Sequence, residues 1–384
     1  MSATLLAAGR SHAALAVGNA LRRLPRAPGR ERPQAFHDAF DDRTLFYDCF
    51  RYRDGRILLV GPPPMNLRPA LRAARFVAQP SGAVLRPSFH ASLSVMITAL
   101  AEAPAGTERI TVSIAGETLT LAVQPDVTGA LAGRRLLFSV NKNNELGWIR
   151  EWALWHARAH GTDAVVLFDN GSTRYGTEEI AATLADVPGI AAVAVPSWPV
   201  KFGPIDPAVT ANPYWARFFQ ISTMSVALRR YGMGAAGLIN CDIDELAGTH
   251  SGASLYDLAR QSRGGLVVFR GTWIEATGEG TRHRDYAERL ADAKAALSPQ
   301  RKWALDPGRA WVKRLGVHPY WHWIEGRPLG AKSMPQDATY WHFKGINTNW
   351  KTRRAAAPTG ATVADAPLAT AMRRVGLVTD RARR

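Results

Sequence analysis

The stretch LLFSVNKNNELGWIREWALWHARAHGTDAVVLFDN, residues 136–170, changes its periodicity twice. LLFSVN (136–141) is a short unbroken apolar run, as expected of a strand buried on both faces. ELGWIREWALWHARAH (145–160) then sets its large apolar residues at helical intervals. AVVLFDN (164–170) returns to an apolar strand. Strand, helix and strand in this order predict a parallel sheet covered by helices.

The pattern continues downstream with a helix near Glu178, the strand IAAVAV (190–195), and a long helix from about Pro213 to Tyr231. AAGLINCDID and GLVVFRG (265–271) add two more strands. Upstream, from about Phe36 to Val127, the text is β-rich instead. RILLV (56–60) stops at Gly61-Pro62-Pro63-Pro64, and RITVSIAGETLTLAV (109–123) folds back at Ala115-Gly116 as a hairpin. The expected layout is a basic N-terminal segment (1–35), a small β-rich accessory domain (36–130), an α/β domain (134–350) and a basic C-terminal tail (351–384).

At 384 residues with 46% hydrophobic and 21% charged residues, the chain has ample core for two domains. No apolar run approaches the roughly 20 residues needed to span a bilayer. Two cysteines, Cys49 and Cys241, make neither a disulfide framework nor a zinc site, which points to a reducing, cytoplasmic compartment. The net charge of +16 favours acidic partners, but much of it sits at the ends. Five arginines (Arg10, Arg22, Arg23, Arg26, Arg30) fall in the first 30 residues without one acid, and eight Lys and Arg follow from Lys351 to Arg384. Solvated ends are the expectation, with at most a short amphipathic helix over AALAVGNAL.

In an open α/β sheet, ligands collect beyond the carboxyl ends of the strands. Three polar clusters follow strands here: Asn141-Lys142-Asn143-Asn144-Glu145, Asp169-Asn170-Gly171-Ser172-Thr173, and Asp242-Ile243-Asp244-Glu245. In extended backbone Asp242 and Asp244 share one side while Ile243 packs on the other. Two carboxylates that close raise each other's pKa unless a cation joins them, and hard oxygen ligands suit Mg²⁺ or Mn²⁺. The plainer alternative is that one of the pair caps a helix beginning at Glu245. Near the end, ATYWHFKGINTNWK (338–351) alternates so that Tyr340, His342 and Lys344 share a face. His342 would add an imidazole ligand that favours Mn²⁺, and Lys344 and Lys351 would meet a diphosphate as point charges. The plainer alternative for His342 is a hydrogen-bonded histidine among core aromatics.

These elements resemble a family pattern. Asn144-Glu145, Glu151-Trp152, Trp155-His156, Gly161 and Asp169-Asn170-Gly171-Ser172, followed by Asp242-Ile243-Asp244-Glu245, resemble glycosyltransferases of family 92 and, more broadly, family 2, on the GT-A fold. Lys302, Val317-His318 and Trp341-His342-Phe343 match the closing elements loosely. The resemblance runs from about Arg134 to Lys351. It departs at Arg174, where an acid often stands, and in the additional Trp321 and Trp323.

The resemblance implies a metal-dependent, inverting glycosyltransferase that moves a sugar from a nucleotide-sugar donor to a glycan or other hydroxyl acceptor. Asn143, Glu145, Asp169, Asp242 and Lys344 would bind the donor, with Asp169 on the nucleobase. Asp242, Asp244 and His342 would hold the Mn²⁺ or Mg²⁺. Inversion needs a general base, for which Asp337 is the first choice and Glu275 the rival. The tryptophans of the C-terminal third, Trp311, Trp321, Trp323, Trp341 and Trp350, offer sugar-stacking faces or core filling. The basic surface points to an acidic acceptor, or to one at a membrane surface and a peripheral place on the inner membrane face.

Two other classes compete. A non-catalytic glycan-binding protein on a transferase fold would keep the architecture and lose the chemistry. A basic nucleic-acid-binding protein would interleave its charge with aromatics on one element, and no such module is visible, so no nucleic-acid partner is expected.

Overall fold

The computed structural model describes residues 3–349 and 357–378. Its central sheet comprises Thr4–Leu5 (β1), Arg135–Asn141 (β2), Ala164–Asp169 (β3), Ala192–Ala194 (β4), Gly237–Asn240 (β5), Glu245–Thr249 (β6), Leu266–Ile274 (β7), Leu297–Leu305 (β8) and Ala338–Phe343 (β9). They lie in the order β1-β4-β3-β2-β5-β8-β7-β9-β6, with Lys332–Ser333 added beside β7. Every pair from β1 to β5 is parallel. Strand β8 then runs antiparallel between β5 and β7, and β6 runs antiparallel beside β9. This is the mostly parallel α/β sheet that the sequence leads one to expect.

Helices Leu146–His160 (α1), Thr177–Ala185 (α2), Phe218–Val226 (α3), Leu255–Gln261 (α4) and Ala366–Arg374 (α5) flank the sheet. The unbroken apolar runs follow from this double cover. In β3, Val165 and Leu167 face a core with Trp152 and Trp155 of α1. Ala164, Val166 and Phe168 face the opposite core with Phe218 and Phe219 of α3. The long helix expected over 213–231 is shorter at its start, and it continues past Val226 as a wider turn over Ala227–Tyr231.

Helix α1 stops at Gly161, whose φ of +67° is left-handed and suits a residue without Cβ. Its C-terminal half grips one residue of β6. The Trp155 indole and the His160 Nε2–H donate to the Ala247 carbonyl at 2.6 and 3.0 Å, and the Ala247 N–H donates to His156 Nε2 at 3.3 Å. His160 also accepts the Leu255 N–H at its Nδ1 at 3.3 Å, so each imidazole uses one bare nitrogen and is neutral. Burial, followed by the neighbouring His160, lowers His156 to about 3, and burial lowers His160 to about 4.

The β-rich part forms two four-stranded antiparallel sheets. Its hairpin turns at Ala115 and Gly116, both with positive φ, as a tight two-residue turn requires. Phe50, Leu58, Val60 and Ile97 from this part share a core with α3 and β2. It therefore packs onto the α/β sheet rather than standing apart.

The ends differ from the sequence expectation. Strand β1 pairs with β4, and Ala13–Ala14 pairs with the strand Thr44–Phe46 where a helix had been expected. Arg23 is buried, donating to the carbonyls of Pro63, Asp41 and Thr44 at 3.0, 2.9 and 2.8 Å. Thr362–Ala364 pairs with Glu288–Leu290, and α5 buries Leu368 and Met372. Formal charge suggests solvation, but a guanidinium whose donors meet backbone carbonyls can sit inside. Among the described residues no helix is long and apolar enough to cross a membrane.

Candidate active site

Strand β5 ends at Asn240, and the chain turns sharply through Asp242, Ile243 and Asp244 before entering β6 at Glu245. The Glu245 N–H closes this turn on the Asp242 carbonyl at 3.0 Å. The pair of aspartates thus occupies a turn between two strands. Neither the extended backbone nor the helix start that the sequence suggested forms here, because β6 has a partner strand to join. In that pairing Glu245 stands opposite His342 of β9, so the sheet register fixes the two side by side.

Asp244, Glu245 and His342 offer ligand atoms that all lie within 4.8 Å of one another. His342 Nε2 is 3.3 Å from Asp244 Oδ2, and its Nδ1 is 3.6 Å from Glu245 Oε1. The Trp273 indole stacks on the imidazole with ring centroids 3.9 Å apart, fixing its plane. Ligand atoms around an octahedral Mg²⁺ or Mn²⁺ lie about 3 to 4 Å apart. Two carboxylates and one imidazole within 4.8 Å of one another are compatible with such an ion, one imidazole nitrogen ligating it and favouring Mn²⁺. Asp242 stands slightly aside. Its carboxylate accepts from Lys302 of β8 at 3.0 Å, and the three-residue cluster contains Glu245 rather than Asp242.

Lys302 also meets Glu245 Oε2 at 2.7 Å, and the Asp242 N–H donates to that same oxygen at 2.9 Å. Burial pulls the Lys302 ammonium down, and Asp242 and Glu245 more than offset it, holding it well above the usual lysine range. The ammonium is a permanent positive charge beneath the acids. Together these residues form one wall of a cleft of about 170 Å³, whose other walls include Asn144, Arg217, Gln220, Trp321 and His322. His322 donates its Nδ1–H to the Arg301 carbonyl at 2.8 Å. Burial, then the Lys302 charge, lower its pKa to about 3, so in this state it is a hydrogen-bond acceptor and a weak base.

A second polar network borders the cleft at the carboxyl ends of β2 and β3. Buried Asp169 accepts from Asn141 Nδ2 and the Ser172 N–H, each at 2.8 Å, and from Ser172 Oγ at 2.5 Å. Asn143, held at φ +55°, accepts from the Thr173 N–H at 2.8 Å and donates its own N–H to Ser172 Oγ at 2.9 Å. Glu145 is ion-paired with Arg174 at 2.5 Å. The Arg174 that departs from the family pattern thus has an acid of its own. Asn144 joins this network to the cleft by donating to Asn141 Oδ1 at 2.9 Å.

Three expected residues are not brought to the cleft. Asp337 precedes β9 at the end opposite His342, roughly 16 Å away along a five-residue span of strand. There its carboxylate accepts from the Ser251 N–H and hydroxyl at 2.8 and 2.6 Å, fixing the loop after β6. Glu275, fully buried, and Lys344 pair with each other at 2.7 and 2.9 Å. The base and the diphosphate-binding cation suggested by the sequence therefore satisfy one another. Trp350 and Lys351 lie outside the described residues. Of the remaining tryptophans named above, Trp321 alone lines the cleft, while Trp341 is in the core and Trp323 stacks on Tyr320.

Sequence reasoning passed over Glu245 as a ligand, matched Lys302 to the family pattern without giving it a chemical role, and gave none to Arg217, Gln220 or His322. Lys302 had one further signal, a charge between Arg301 and Trp303 beside an apolar strand end.

No protein-family model matches the chain, and no curated protein does. Among solved structures it matches the crystal structure of S. aureus TarS 1–349 at 12% identity, over 55% of this chain and 60% of that one, with a TM-score of 0.31. It also matches the galactosyltransferase LgtC in complex with donor and acceptor sugar analogs at 17% identity, over 47% and 60% of the two chains, with a TM-score of 0.25. A third match is the bifunctional glycosyltransferase WbbM, at 9% identity over 50% and 35%, TM-score 0.23. The chain thus spans about 60% of the length of the first two. Likeness this slight carries no function, which has to come from the cleft.

Proposed function

We propose that this chain is a metal-dependent glycosyltransferase that takes a sugar from a nucleotide-sugar donor and gives it to a hydroxyl acceptor. The observation that carries this is the convergence of Asp244, Glu245 and His342 at one end of the sheet, on a cleft whose floor is the Lys302 ammonium. Those three residues would hold a Mn²⁺ or Mg²⁺, which when bound supplies Lewis-acid stabilisation of a departing diphosphate.

The chain's own residues support the rest of the donor half. Lys302 offsets one of the two negative charges on Asp242 and Glu245, so the acids do not repel an incoming diphosphate with their full charge. The trimmed network around Asp169 and Asn143 supplies a rigid rim of amide and carboxylate groups for the nucleoside end. Asp337 and Glu275 are engaged elsewhere, so the proposal rests on the donor half of the reaction.

A thermal-shift series of nucleoside diphosphates with Mn²⁺, with Mg²⁺ and with chelator tests it, since a ligand bound only by the folded state raises apparent stability. One nucleotide that stabilises the protein with metal, and loses that effect in Asp244→Asn, is the expected result. No shift with any nucleotide would leave the glycan-binding reading, and glycan binding would then be screened directly.

A further inference from the structure

The cleft has a second pole at the start of α3. Arg217 is the N-cap of this helix and Gln220 its third residue, and both line the cleft. The first turn of a helix leaves N–H donors without partners in the helix and carries the positive end of its dipole. Among the described residues no side chain caps this one.

Arg217 stacks over Phe202 and Tyr214, with its guanidinium carbon 5.3 and 4.6 Å from the two ring centroids. Among the described residues it makes no ion pair, and its buried Nε has no hydrogen-bond partner. The other cleft cation, Lys302, already meets Asp242 and Glu245. Gln220 is only 3% exposed, yet among the described residues its Oε1 receives no hydrogen bond. A buried acceptor without a protein donor, on the wall of a cleft, is open to a donor from water or a ligand.

We propose that Arg217, Gln220 and the first turn of α3 form a subsite for an anionic sugar. The guanidinium and the helix N–H groups take its carboxylate or phosphate, and Gln220 Oε1 accepts one of its hydroxyls. Its place in a reaction rests on the transferase reading, but its existence does not. The anionic sugar belongs either to the donor or to the acceptor, and the chemistry is the same.

The test is calorimetric titration of the full chain, in chelator, with methyl β-glucuronide, glucose 6-phosphate and uncharged methyl β-glucoside. At least one charged sugar binds at least tenfold more tightly than the glucoside. Arg217→Gln removes that preference, and Arg217→Lys restores part of it. Gln220→Glu, which leaves Arg217 in place but brings a carboxylate to the subsite, weakens the charged sugar at least tenfold. Equal binding of charged and uncharged sugars, binding of neither charged sugar, or a preference that survives both Arg217→Gln and Gln220→Glu would overturn the subsite.

Repeating the titration with Mn²⁺ and a saturating nucleotide sugar assigns the source. A charged sugar that still binds belongs to the acceptor, and one that is displaced belongs to the donor. Charged-sugar binding through Arg217 in a protein that binds no nucleotide would keep the subsite and remove the transferase reading.

Discussion

Lys302 and Glu245 meet at 2.7 Å, and each side chain is 1% exposed. The pair is desolvated, so each charge depends on the other. Removing one partner of such a pair costs about 3–5 kcal/mol, whereas replacing both by apolar groups is often neutral. Lys302→Met should therefore destabilise the protein by about that amount, and Lys302→Met with Glu245→Met should recover most of it, because Asp242, the other partner of Lys302, is 24% exposed and can turn to water. Urea unfolding of the two variants measures this. Equal losses in both would mean that the pair contributes through packing alone.

Asp244 is partly exposed on the cleft, and replacing it with Asn preserves shape while weakening a ligand. Transfer by Asp244→Asn should fall at least about 100-fold, the upper end of what even second-sphere changes cost at metal sites. Asp337→Asn should leave turnover unchanged, because the carboxylate serves the Ser251 loop. Steady-state kinetics on both variants decide between the sequence expectation and the structure. A large loss in Asp337→Asn would restore that residue as the base.

His156 and His160 contribute to the pH dependence of stability together with His318 and His322, whose burial lowers each to about 3. The folded pKa values of the first two, about 3 and about 4, also lie below the roughly 6.5 of an unfolded histidine. Between those limits the unfolded chain takes up protons that the folded chain refuses. Stability therefore falls as pH drops from about 6.5, by up to about 5.4 kcal/mol per pH unit for the four together. Denaturant unfolding at pH 7, 6 and 5 checks the slope. His156→Gln, with a neutral donor and acceptor, should flatten it by about a quarter.

The C-terminal helix is structural. Leu368 of α5 is fully buried in the core that also holds Trp152 and Trp155. Leu368→Ala should cost about 2–5 kcal/mol, whereas in a solvated tail it would cost nothing. A thermal unfolding comparison with the native protein is sufficient.

Much of the sheet is legible in the chain because its signals are local. The runs at 136–141 and 164–170 are apolar on both faces, and the spacing of Ile149, Trp152 and Trp155 declares α1. The Ala115-Gly116 hairpin is equally local. The meeting of Asp244 with His342 was suggested by chemistry and resemblance, and the structure places them 3.3 Å apart. What escaped is made by register between distant strands. Nothing local tells Lys302 to find Glu245, or Lys344 to neutralise Glu275. The turn at Asp242 escaped for another reason. Buried Cys241 and Ile243 flank Asp242 and mimic strand alternation, and the alternation hides the bend.

Thr4 pairs with Ala192, and Leu5 with Val193, so β1 joins the sheet across about 190 residues of chain. Neighbouring pairings such as β2 with β3 close over far shorter spans and have no such distance to bridge. During synthesis the segment around Thr4 emerges before β4 and waits for it to appear. Until it docks, β4 presents a bare line of N–H and C=O groups that can accept a strand from another chain. Two residues made long before their partner thus become the late seal on the sheet, and crowding during folding is when their absence would be felt as self-association.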